Sequence, residues 1–173
     1  MSTENMGYTA NAIKSYLDEV GQRYAYNEDD NTFIVPLPLP CRLKFTTMMI
    51  HVFDDSSFGV VVQCPLSANI GDEATMKELM RLVCLINYTV KYIYMIFDPR
   101  DGELAVRCSV NHRGHELTDD TIRMAVVGSQ AVLVDWADAL IGVILGWKTA
   151  DEMYELVQEK HRKMLNEQSE NAE

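Results

Sequence analysis

Residues 118 to 146, TDDTIRMAVVGSQAVLVDWADALIGVILG, form the longest apolar tract of the chain. A tract of this length must lie in a bilayer or against a large protein surface. Arg123, Gln130, Asp135 and Asp138 interrupt it, and charges at bilayer depth are costly, so the spacing predicts a buried helix of a soluble domain. Ile122, Ala125, Val126, Val132, Leu133, Trp136, Leu140, Val143 and Ile144 share one helical face. The opposite side still carries Met124, Val127, Val134 and Leu145. That is more apolar surface than a solvated face needs, and it predicts a second contact, with a neighbouring subunit or with the last helix.

Gly146 is placed to stop this helix, and Thr149-Ala150-Asp151-Glu152 is a capping box that starts another. Met153, Leu156, Val157 and Met164 give the last helix a modest apolar stripe. The tail NEQSENAE is expected to fray. Without repeats or a long linker, the chain reads as a single domain over residues 1–157, followed by a charged helix end and tail over 158–173.

The rest of the chain supplies a sheet. Residues 9 to 21 place Ile13, Tyr16, Leu17 and Val20 on one side of a first helix. Two short extended runs flank the turn-forming residues Asn27 to Asn31. In PLPLP, residues 36 to 40, proline supplies no ladder donor, so the segment is a rigid connector or a sheet edge. Residues 42–53 and 57–65 form an extended pair, with Phe58, Val60, Val62 and Cys64 alternating onto one face. A helical stripe of Met76, Leu79, Met80, Val83 and Ile86 follows, with Leu85 pointing the other way and Leu82 beside it. Tyr92–Phe97 and Glu103–Val110 are then two strands joined by Asp98 to Gly102, where Asp-Pro opens a turn and glycine closes it.

With 173 residues, 47% hydrophobic and 24% charged, the chain can bury a substantial core. Its net charge of -11 disfavours nucleic acid, and Lys160-His161-Arg162-Lys163 reads as a solvated helix face. The first twenty residues lack the pattern of a secretory signal or transit peptide, which predicts a cytoplasmic protein. Cys41, Cys64, Cys84 and Cys108 are too scattered for a metal or redox pair and read as reduced thiols packed as small hydrophobes.

Each cluster of ionisable residues has a plainer explanation than chemistry. In DPRDGE, Arg100 occupies the third position of a calcium loop and breaks the pattern, and an exposed turn gives Asp98 and Asp101 no burial to tune a catalytic pair. Cys108, His112 and His115 lack the paired ligand spacing of structural zinc. Asp135 and Asp138 lie away from the apolar stripe, at a solvated face or an interface rim. There is no nucleophile elbow and no phosphate-binding glycine loop. No catalytic residue, metal or cofactor is expected.

Two stretches, LMRLVCLINYTVKYIYMIFDPRDGELAVRCSV and LTDDTIRMAVVGSQAVLVDWADALIGVILGWKTADEM, resemble the bacterial YbjN family over about residues 9 to 157. The resemblance implies the fold of the type III secretion chaperones, α-β-β-β-α-β-β-α. It also implies a role like that of the family's proposed sensory transduction regulators, or of chaperones that are small acidic cytoplasmic dimers holding extended segments of partner proteins. The chain departs from the pattern in PLPLP and in its long charged C-terminal helix.

Together these readings predict an α+β domain with an antiparallel sheet of five or six strands and flanking helices. The expected function is non-catalytic protein binding, chaperone-like or regulatory, by a homodimer that also binds another protein and neither nucleic acid nor membrane. Leu82 and Leu85 are the candidate contact residues. The alternative is a small-molecule sensor whose pocket, between sheet and long helix, would be lined by Tyr92, Tyr94 and Trp136.

Overall fold

Turn and cap chemistry sets the element boundaries in the computed structural model, which describes residues 7–170. Helix α1 (Tyr8–Glu19) ends where Gly21 takes a positive φ of 65°. The Gly21 and Gln22 N–H groups then donate to the carbonyls of Asp18 and Leu17, a Schellman stop that leaves Val20 exposed rather than in the predicted stripe. Strands β1 (Ala25–Asn27) and β2 (Thr32–Pro38) follow, then β3 (Phe45–Asp54) and β4 (Ser57–Ser67). Helix α2 (Glu73–Thr89) is capped by Asp72, whose carboxylate accepts from the Thr75 N–H at 3.1 Å.

Strands β5 (Ile93–Phe97) and β6 (Glu103–Asn111) form the expected hairpin. The Asp98 N–H donates to the Glu103 carbonyl and the Gly102 N–H to the Asp98 carbonyl. Gly102 has φ 78°, and a β-carbon there would overlap the Ala68 carbonyl, so glycine is required. Helix α3 (Asp119–Ile144) ends in a second Schellman stop at Gly146, and the Thr149–Glu152 capping box opens α4 (Ala150–Glu170). Helix α4 runs five residues into the segment expected to fray, and residues 171–173 of that segment lie outside the described residues.

The six strands make one antiparallel sheet in the order β1-β2-β3-β4-β6-β5. The expected strand count and fold class are observed. The order of elements adds to the expected pattern a fourth strand before α2 and the helix α4. One contiguous core joins Phe33, Ile50, Phe58, Val60, Met95 and Val106 on the inner face of the sheet to buried side chains of all four helices. Each fully buried Leu, Ile or Phe in it contributes roughly 1.5–3 kcal/mol. Helix α3 has the length and apolarity of a membrane span, and in this fold it packs across β4, β5 and β6.

On α2 the buried side chains are Met76, Leu79, Leu82, Val83 and Ile86, whereas Met80 is largely exposed. The helix is turned toward Leu82 relative to the predicted face, because it is wedged between β5, α3 and α4 and buries a wider arc than one stripe. Helix α4 packs on the C-terminal half of α3 through Trp136 and Gly142 rather than through the four surplus apolar residues. Trp136, 2% exposed, stacks on Tyr154 of α4, and Met153 seats its sulfur where a side chain on Gly142 would lie. Met124, Val127 and Leu145 remain exposed.

Candidate functional site

The ionisable clusters have structural roles. Asp98 accepts from the Arg100 N–H at 2.9 Å and from its guanidinium, and Asp101 accepts from the Glu103 N–H at 2.9 Å. The Arg100 guanidinium, aided by the Arg100 N–H, holds the Asp98 carboxyl at about 2. Asp135 and Asp138 diverge toward different elements, Asp135 to His161 of α4 at 3.8 Å and Asp138 to Arg42 at 3.3 Å. Cys108 lies in the core, where burial raises its thiol pKa, and His112 bonds Thr9 of α1. Among the described residues no three His, Cys, Asp or Glu side chains are grouped to hold a metal ion. A groove of about 720 Å³ between the start of α2 and the α3–α4 turn holds Trp147, but its lysines face its own glutamates, Lys77 to Glu73 and Lys148 to Glu152, each at 3.9 Å.

The three aromatic residues of the expected sensor pocket do not converge. Trp136 stacks on α4, Tyr92 is 80% exposed ahead of β5, and Tyr94 points to the outer side of the sheet. Of the two contact candidates, Leu82 is fully buried and Leu85 half-buried on α2.

What the fold leaves open is the outer face of the sheet. Successive residues of a strand point to opposite faces, and the helices cover only the inner one. The registers align Ile34, Met49, Val61, Arg107 and Tyr94 in one row across β2, β3, β4, β6 and β5. At the usual strand spacing the row is about 19 Å long. Ile34 is 41% and Tyr94 39% exposed, while Val61 is buried among its neighbours. Beside the row, Phe53 lays its ring over Gly59, where a β-carbon would sit 2.9 Å from the ring, and still exposes 64% of its surface. Phe45 adds another exposed aromatic at the start of β3. Arg107 lies within this apolar field and makes no hydrogen bond or ion pair among the described residues.

Both edges of the sheet are interrupted. On β5 the outward main-chain groups at Met95 are taken by the side chain of Asn87, which donates to the Met95 carbonyl at 2.9 Å and accepts from its N–H at 2.8 Å. At the other edge, β1 covers only Thr32 to Ile34 of β2. Beyond it the outward positions are Pro36 and Pro38, which have no N–H, and their carbonyls accept from Gln22 at 3.3 Å and Gln130 at 3.4 Å. The first three residues of PLPLP are therefore the exposed end of β2, with Pro36 and Pro38 facing out, while Leu37 and, just past the strand, Leu39 are buried.

No family model matches the sequence, and no curated protein matches it significantly. Solved structures match the fold. YbjN of E. coli, a proposed transcription regulator, is 11% identical with a TM-score of 0.54, over 75% of this chain and 92% of that one. The Yersinia pestis type III secretion chaperone SycH, in complex with a stable fragment of YscM2, is 11% identical with a TM-score of 0.46, over 78% of this chain and 98% of that one. An uncharacterized protein from Methanothermobacter thermautotrophicus is 14% identical with a TM-score of 0.42, over 88% and 98%. At such identity the likeness to YbjN is one of fold, and the expected resemblance holds at that level.

Proposed function

We propose that this chain is a non-catalytic protein-binding module, chaperone-like or regulatory, that holds its partner on the outer face of the sheet. The observation that carries this reading is the row from Ile34 to Tyr94 with Phe53 beside it, apolar except at Arg107 and covered by no helix. Contiguous apolar surface of this kind is rarely left facing water in a monomer. The shared fold with YbjN agrees with a regulatory role; the argument rests on the surface.

We further propose a cytoplasmic homodimer. A groove of about 280 Å³ at Ile93, Met124 and Val127 is one self-contact surface, with the half-buried Leu85 of α2 as a second candidate and Leu82 buried behind the helix surface. The test is affinity capture from a cytoplasmic extract with the wild type, Phe53→Glu and Leu85→Glu, each first shown to be folded by circular dichroism. Recovery of a partner by the wild type and its loss with Phe53→Glu supports the reading. Equal recovery by both removes the outer face from it.

A further inference from the structure

The partner must satisfy its own main chain. An extended segment that binds a sheet by strand addition takes its hydrogen bonds from an open edge. Here Asn87 interrupts the middle of one edge, and the other offers only the three residues of β1 before the prolines of β2 remove its donors, so neither presents a long ladder. An extended segment laid flat on the outer side chains would leave its amides and carbonyls without partners as water is excluded. A helix brings its main-chain hydrogen bonds with it, and three turns of it span about 16 Å, close to the length of the row.

The row also states one charge. Arg107 is flanked across the strands by Val61 and Tyr94 and has no anion of its own among the described residues. Covering it with an apolar surface would strand a desolvated cation, so the covering segment must carry an acid at that point. With a net charge of -11 the chain does not attract acidic segments from a distance; the pair sets orientation and register rather than the rate of encounter. A second copy laid on the same row about a two-fold axis would set Arg107 against its own counterpart or, with the axis crossing the row at Val61, against Met49, and in neither case against an acid.

We infer that the occupant of the outer face is an amphipathic helix whose aliphatic stripe lies on Ile34, Met49, Phe53 and Tyr94 and whose Asp or Glu meets Arg107. This rests on the face-docking reading proposed above. The probe is a phage-displayed library of random 18-residue peptides selected on the full chain, with the enriched peptides synthesised and titrated. The expected winners carry aliphatic residues at helical spacing and one acid, and they gain helical circular dichroism on binding. Their affinity falls at least tenfold on Arg107→Glu and returns when the peptide acid is changed to Lys.

Winners that bind without becoming helical, or that ignore Arg107→Glu while losing affinity on Phe53→Glu, overturn the helix inference and leave face docking standing. Enriched peptides unaffected by Phe53→Glu, or a failure to enrich any, overturn both. A concentration-dependent dimer in sedimentation that Phe53→Glu abolishes assigns the face to a second copy and also overturns the inference.

Discussion

Thr9 and His112 lie 103 residues apart in sequence, yet the hydroxyl of one meets Nε2 of the other at 3.0 Å in a buried contact. This bond ties α1 to the end of β6, and removing either member leaves a buried polar group without its partner. Thr9→Val is expected to cost about 1–3 kcal/mol in urea unfolding. Adding His112→Leu should cost less than the sum of the single changes, which a double-mutant cycle measures.

The Asp98 carboxyl sits at about 2 in the folded chain against an ordinary 3.8. A depressed folded pKa adds stability that is present above the unfolded value and lost as pH falls through the folded one. Urea midpoints of the wild type and Asp98→Asn should therefore differ at pH 6 and converge as pH drops from about 4 toward 2. A difference that persists at pH 2 would assign the effect to turn geometry rather than charge.

Ser129 of α3 is fully buried and its hydroxyl has no hydrogen-bond partner among the described residues. Ser129→Ala removes that unmet group and improves helix propensity, so stability should rise by about 1 kcal/mol. For a domain of this size the melting temperature should increase by roughly 2–4 °C.

Opening an edge should change how the chain associates. Pro36→Val with Pro38→Val restores two outward N–H groups, and Asn87→Ala exposes the Met95 main chain at the opposite edge. Both variants are expected to form strand-paired oligomers detectable by light scattering, where the wild type does not do so through its edges. Asn87→Ala should also cost about 1–2 kcal/mol in unfolding.

Much of the fold is legible in the sequence because its signals are local. The D-P-R-D-G turn, the 149–152 capping box and Gly146 each act within a few residues, and each stands where the spacing places it. The alternation of Phe58, Val60, Val62 and Cys64 likewise names an inner face. The docking surface is less legible because it depends on register between distant strands. Ile34, Met49, Val61, Arg107 and Tyr94 come from five strands spread over most of the chain, and no short stretch shows that they line up. On α2 the periodicity names Met76, Leu79, Val83 and Ile86 but not Leu82, which is drawn inward by packing on three elements. PLPLP revealed that it forms an edge but not that Gln22 and Gln130 complete it.

The most direct test of the outer face is site-specific photocrosslinking in a native extract, with a photoreactive phenylalanine analogue placed at Phe53 or, as a control, at Tyr88, an exposed position near the end of α2. Docking on the sheet predicts one partner protein joined through position 53 and absent from position 88. No adduct at 53, or the same adducts at both positions, would contradict it.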